Sequence, residues 1–243
     1  MPRFHHTMAV AAVDRAWFER LVLLTHDAAG EVLGSAECPL TEGDALAPGA
    51  RYAAPEGGAR LEVTSWDPAG ETAGRLETDG EEMTTAWTAE LHTVHAPRTA
   101  TLVNEVRVGQ AGLAASTVET RVDVDGWWSA AGGDGGAPPV TGVARYRVFE
   151  LAYELTPAPG QDGNLDLTVA VDLRGHGFAR IVLALALPVR RRLWRRYVGE
   201  LDGVAEKWNR ELPRLRAMPE DELRTLVADR VRAVLSGQSS RKP

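Results

Sequence analysis

Between residues 165 and 173 apolar and polar side chains alternate. Leu165, Leu167, Val169, Val171 and Leu173 are separated by Asp166, Thr168, Ala170 and Asp172. A period of two sends successive side chains to opposite faces, so this segment predicts a strand with one face buried and one mostly polar. Antiparallel pairing across the Pro- and Gly-rich turn at 157–163 puts Leu155, Tyr153, Leu151 and Phe149 on the same apolar face. Carried backwards along one strand over 143–155, the alternation adds Arg147 and Arg145 to that face. By the same reading Leu102, Asn104, Val106 and Val108 point inward from a strand at 99–108, and Trp87, Ala89, Leu91 and Thr93 from one at 83–95. Further strands are predicted at 3–12, 61–63, 72–78 and 116–124, punctuated by Asp67-Pro68, Asp79-Gly80 and the residues 95–98.

The period changes to that of a helix in two places. Val13, Trp17, Leu21 and Leu24 step by four, four and three, which predicts a short helix over 13–24 with Asp14 near its N-terminus. Residues 27–50, rich in Gly, Pro and acidic groups, read as loop with at most one helical turn. Leu193, Tyr197, Leu201, Val204, Trp208 and Leu212 form a longer stripe, widened by Trp194, Val198 and Ala205, and predict a long C-terminal helix. Its face is expected to pack on the sheet face of Leu167, Val169 and Val171. Pro213 is expected to kink or end it, and Pro219, followed by Glu220, Asp221 and Glu222, to start another helix. The segment 126–142, rich in Gly and Pro with Trp127 and Trp128 at its base, reads as a long irregular loop, either a lid or a loop pinned to the sheet. The pattern gives an α+β protein: a curved antiparallel sheet wrapped around a long C-terminal helix. It reads as one domain over 1–212, with a helical extension and frayed tail over 213–243.

Composition narrows the class. With 243 residues, 44% hydrophobic and 25% charged, the chain can build one large core. The single cysteine, Cys38, has no partner for an internal disulfide or a thiolate metal site, which points to a reducing, cytoplasmic setting. The N-terminus has no signal-peptide pattern, and the longest apolar run, 181–189, is far short of the ~20 residues a membrane span needs. The formal charge of −7 is uneven, since residues 178–243 hold 15 Lys+Arg against 8 Asp+Glu. An acidic sheet region beside one basic helix does not suit nucleic acid, which asks for a basic face with base-reading groups.

No nucleotide loop, zinc-protease or nucleophile-elbow motif is present, so no cofactor is expected. His92 and His95 lie three apart on a predicted strand and face opposite ways, as do the neighbours His5 and His6, so no metal is expected either.

The order of elements, with several local sequences, resembles the START/polyketide-cyclase (SRPBCC, helix-grip) superfamily. Val13-Asp-Arg-Ala-Trp-Phe18 is similar to the first helix of that family, Pro48-Gly-Ala-Arg-Tyr52 to the approach to its second strand, and Leu61-Glu-Val-Thr-Ser-Trp-Asp-Pro68 to its third strand and turn. Val169-Ala-Val-Asp-Leu-Arg-Gly175, leading to Arg190-Arg-Arg-Leu-Trp-Arg-Arg196, resembles its passage from last strand to long helix. The resemblance spans about residues 3–212. It departs from the family in lacking a clear second small helix at 27–47 and in an apparent insertion at 109–142.

The resemblance implies a cavity between sheet and helix that holds a small hydrophobic, polyketide-like molecule. Buried polar groups are informative in such a cavity, because one left without a partner costs ~1 to 3 kcal/mol. Arg147 is the candidate for a substrate carboxylate or enolate, Tyr153 for a proton or hydrogen bond to a carbonyl, and Asn104 for a third polar contact. Trp87, Arg145, Phe149, Arg190, Trp194 and Tyr197 are the candidate ligand-binding residues. The competing reading pairs Arg147 with an acid such as Glu105 and leaves Tyr153 a core residue. Three functions stay open: cyclase/aromatase-type ring closure or dehydration, non-catalytic carriage or sensing of a lipid, isoprenoid or polyketide, and an interaction protein whose cavity is filled by its own side chains. Convergence of Arg147, Asn104 and Tyr153 would favour the first. Arg191, Arg192, Arg195 and Arg196 would suit an acidic partner such as an acyl carrier protein, or form only a solvated face.

Overall fold

A computed structural model of the chain describes residues 3–54, 59–79, 83–108, 116–176 and 187–235; side chains at 83, 108 and 187–193 are outside the description. The protein is α+β, with eleven strands among the described residues, all paired antiparallel, and helices at the C-terminus. It divides into two compact units. The first takes residues 1–13 and 116–217, the second 14–115 and 218–243.

In the first unit β1 (Phe4–Ala11) pairs with β11 (Asn164–Gly175), β11 with β10 (Phe149–Pro159), β10 with β9 (Val140–Arg145), and β9 with β8 (Ser116–Asp123). The register follows the alternation: Leu155, Tyr153 and Leu151 lie opposite Val169, Val171 and Leu173. On the apolar face Met8, Val10, Leu165, Val169 and Val171 are buried together with Ala205, and Leu151, Tyr153, Leu155, Trp127, Trp194 and Leu201 pack around them. The strand expected over 143–155 is instead two strands. A tight turn at Tyr146–Val148 divides it, closed by the Tyr146 amide donating to the Phe149 carbonyl at 2.9 Å. Arg145 therefore lies opposite Glu150, on the face away from Tyr153. The inward placement of Arg145 and Arg147 is corrected by this turn, because an alternation cannot be carried through a chain reversal.

The segment 126–142 is also more ordered than expected. Val124–Ala131 forms helix α2, capped by the Asp123 carboxylate accepting from Gly126 N at 2.9 Å, and Val140–Gly142 already belongs to β9. Irregular chain remains only at 132–139.

Helix α3 (Leu187–Ala217) packs against β1. Its inward positions are Trp194, Val198, Leu201, Ala205 and Leu212, of which Ala205 and Leu212 are buried. The expected face is corrected: Val204 is 67% exposed and Trp208 42%, with Tyr197 exposed beside them, and Leu193 lies outside the described side chains. The apolar stripe is wider than the contact it makes, so which half is buried depends on where the helix lies. Here it runs along the edge strand and grips its backbone. Asn209 donates to Ala9 O at 2.9 Å and accepts from Ala11 N at 2.6 Å, the Trp208 indole donates to Ala11 O at 3.0 Å, and His6 Nε2 meets Asp202 Oδ1 at 2.6 Å. The helix does not end at Pro213. Burial of Leu212 and the reach of Arg216 to Ala12 O at 3.5 Å hold the last turn despite the missing amide proton.

The second unit carries α1 (Arg15–Val32), the short strands β2 (Leu40–Glu42) and β3 (Arg51–Ala53), then β4 (Ala59–Trp66), β5 (Glu71–Asp79), β6 (Met83–His92) and β7 (Thr99–Val108), and finally α4 (Glu220–Leu235). These strands pair in sequence order. Helix α1 opens where expected, with Asp14 accepting from Trp17 N at 2.8 Å, but runs eight residues beyond 24 because Leu24, Ala28 and Val32 continue its buried face. Helix α4 packs against α1, bound by Arg224 to Glu31 at 2.5 Å. Val32, Leu33, Cys38, Ala50, Tyr52, Val63 and Leu235 form the core. Burial pushes the Cys38 thiol above its ordinary pKa.

Candidate functional site

The residue that organises the first unit's apolar face is a glycine. Thr120, Gly142, Tyr153 and Val171 stand opposite one another on four consecutive strands. With no Cβ on Gly142, the Tyr153 ring lies flat across β9, and its hydroxyl reaches the Thr120 hydroxyl one strand further on. A Cβ on Gly142 would fall 2.1 Å from Tyr153 Cζ.

Further aromatic rings of the first unit form two groups. Phe4 on β1 stacks on Trp194 of α3 with centroids 5.2 Å apart, and Trp194 meets Tyr197 at 5.7 Å. Tyr146 stacks on Phe149 at 4.3 Å across the β9–β10 turn. Burial pushes the Tyr197 hydroxyl above its ordinary pKa, with Tyr153, Glu200 and Tyr146 adding to the shift, so the three tyrosines share one electrostatic neighbourhood. Tyr146 and Tyr197 keep much of their surface exposed. The result is an aromatic wall whose tyrosines keep part of their surface exposed, so that ring faces and hydroxyls lie side by side.

The candidate residues divide between the units. Tyr153, Phe149, Trp194 and Tyr197 belong to this wall. Arg145 is on the opposite face, engaged with Glu119 at 3.5 Å and Glu150 at 3.7 Å. Arg147 sits in the exposed turn and makes no hydrogen bond or ion pair with any described residue. It is therefore neither an inward pocket residue nor the partner of Glu105, which pairs with Arg75 at 3.2 Å and Arg107 at 3.7 Å. The Arg190 side chain lies outside the described residues.

Asn104 and Trp87 belong to the second unit, opposite each other on β7 and β6. Their shared face with Leu61, Leu76 and Leu102 agrees with the alternation, yet Trp87 and Leu102 remain exposed. Asn104 Oδ1 is buried without a hydrogen-bond partner, the kind of acceptor that costs free energy until something donates to it. The other face of this sheet is charged and self-compensated: Arg51 pairs with Glu42 at 2.7 Å, Arg75 with Glu77 at 3.0 Å and Arg60 with Asp79 at 3.5 Å.

A shallow recess of the second unit is lined by His26, Gly30, Glu31, Trp66 and Arg224. The His26 ring stacks on Trp66 at 4.3 Å and its Nε2 is buried without a partner. Burial pulls the His26 pKa below its ordinary value; Asp27 opposes this and His95 adds to it.

No family model, curated protein or solved structure matches the chain. Among the described residues no three His, Cys, Asp or Glu side chains gather as metal ligands, and no helix is long and apolar enough to cross a membrane.

Sequence reasoning singled out Tyr153 but missed Gly142 and Thr120. The available signal was a glycine inside a strand, which marks close approach of another group. It was hidden because 126–142 reads as one Gly-rich loop.

Proposed function

We propose that the chain is a helix-grip protein of the START/polyketide-cyclase kind that binds a small hydrophobic, ring-containing molecule against the aromatic wall of Tyr146, Tyr153, Trp194 and Tyr197, and holds it without transforming it. The order of elements supports the family reading: strand, helix, a run of antiparallel strands and a long C-terminal helix. The observation that carries the choice of binding over cyclisation is the hydrogen bond between Tyr153 and Thr120. A general acid needs a hydroxyl directed at the substrate, and the Thr120 contact turns this one along the sheet toward β8. Arg147, the other candidate for chemistry, stands in an exposed turn.

The test is native mass spectrometry of the full chain after incubation with a mixed metabolite extract, alongside fluorescence titration with anilinonaphthalene sulfonate. Retention of apolar molecules at unchanged mass, lost in Trp194→Ala and Tyr197→Ala but kept in Tyr153→Phe, is the expected result. A retained molecule whose mass falls by one water on incubation, with the loss abolished in Tyr153→Phe, would restore the cyclase reading. No retention at all would remove both.

A further inference from the structure

We propose that the β9–β10 turn, Tyr146-Arg147-Val148, docks the protein on an anionic phospholipid surface. Three observations meet there. First, the tip is apolar and outward: Val148 is 49% exposed and Tyr146 36%. Second, it is rigid for a turn. Tyr146 N–H donates to Phe149 O at 2.9 Å, the two rings stack, and His176 N–H donates to Val148 O at 2.9 Å. Little ordering entropy is then lost on docking. Third, Arg147 is an uncompensated cation. On neighbouring strands Arg121 pairs with Glu119 at 2.6 Å, Arg174 with Asp172 at 3.0 Å and Arg145 with two carboxylates, whereas Arg147 has no partner among the described residues.

The same end of the first unit gathers further positive charge. Tyr197, on α3, has Tyr146 in its electrostatic neighbourhood, and just before it on the helix stand Arg195 and Arg196, both exposed, Arg196 being paired with Glu200 at 3.2 Å. Arg195 is also without a described partner, and the chain continues the basic run backwards through Arg192, Arg191 and Arg190. An arginine between an aromatic and an aliphatic side chain matches the two layers of a lipid interface, phosphates outside and acyl chains beneath. Tyrosine is at home at that boundary. An acidic protein would satisfy the arginines, but it gives no reason for Val148 to stand 49% exposed on a rigid tip.

This inference does not depend on what the aromatic wall binds. The experiment is flotation of the full chain with phosphatidylcholine vesicles, with and without phosphatidylglycerol, at low and high salt. Binding to the anionic vesicles only, weakened by salt, is expected. Arg147→Glu and Val148→Asp should each lower it by roughly tenfold or more, whereas Arg60→Glu, the same charge change in the second unit, should leave it nearly intact. Thermal midpoints equal to wild type verify that the variants are folded. For a variant whose midpoint falls, Arg147→Gln or Val148→Ser replaces it. The proposal is overturned if neutral vesicles bind equally or neither kind binds, or if Arg60→Glu is as damaging as Arg147→Glu. Indifference to Val148→Asp overturns it as well. So does capture by an acidic acyl carrier protein without capture by vesicles, which assigns the tip to a protein partner.

Discussion

Tyr153 lies across Gly142, its register partner on the next strand, and the contact leaves no room for even one methyl group. The pair fixes the direction of the ring and thereby the hydrogen bond to Thr120. Gly142→Ala should destabilise the protein by ~1 to 3 kcal/mol, the usual cost of overpacking, even though the substitution also stiffens the unfolded chain. Tyr153→Phe should cost only ~0.5 to 1.5 kcal/mol, the net worth of one hydrogen bond. Urea unfolding of Gly142→Ala, of Tyr153→Leu and of the variant carrying both checks the coupling. If the double variant is destabilised by the full sum of the two single effects, the ring does not rest on the glycine.

Edge strands expose unpaired backbone groups, and β1 has one side of its backbone addressed by a side chain. Asn209 takes both Ala9 O and Ala11 N. Because the site is exposed, water replaces part of what is lost, and Asn209→Leu should cost about 1 kcal/mol. The sharper readout is amide exchange: Ala11 should lose protection in Asn209→Leu and keep most of it in Asn209→Asp, which retains the acceptor. Equal protection in both variants and wild type would show that the amide does not close the edge.

Size and burial disagree along α3, and burial decides. Leu212 is 2% exposed and Trp208 42%. Leu212→Ala should cost ~2 to 5 kcal/mol, as for other buried leucines. Trp208→Ala, which loses part of a large ring and one exposed hydrogen bond, should cost about 1 to 2 kcal/mol. Denaturant midpoints in the reverse order would place the tryptophan, not the leucine, in the helix–strand contact.

The depressed pKa of His26 gives a pH dependence with a defined sign. Folding favours the neutral ring, so nothing is lost above the ordinary value of about 6.5; as pH falls below it the unfolded chain binds the proton first, and stability declines until the lower folded value is reached. Comparing wild type with His26→Gln between about pH 7 and pH 5 isolates this contribution from the carboxylates. Wild type should lose more stability over that window. Parallel curves would mean that the imidazole is as easily protonated folded as unfolded.

The aromatic candidates for binding were more legible in the sequence than the polar ones. Phe149, Trp194 and Tyr197 were marked by apolar periodicity and all lie in the first unit, where Phe149 stacks on Tyr146 and Trp194 meets Tyr197, although Tyr197 stays 39% exposed. Arg147 was marked only by counting residues through a turn whose middle, Arg147-Val148, carries no Gly, Pro, Asn or Asp. Nothing in the local residues announced the reversal.

By itself the sequence determined where most of the long strands and the C-terminal helices lie and which side chains share a face within one strand, since both follow from local period: β7 falls at the expected residues, and Leu155, Tyr153 and Leu151 stand opposite Val169, Val171 and Leu173. The tertiary structure decided what lies beyond one strand's reach. It turned Arg145 away from Tyr153, chose the Ala205 and Leu212 side of a stripe too wide for one contact, and laid a ring across Gly142. The reason is physical. A period of two or 3.6 specifies direction relative to one backbone, whereas the partner that fills that direction comes from a segment tens of residues away and is fixed only when the elements pack.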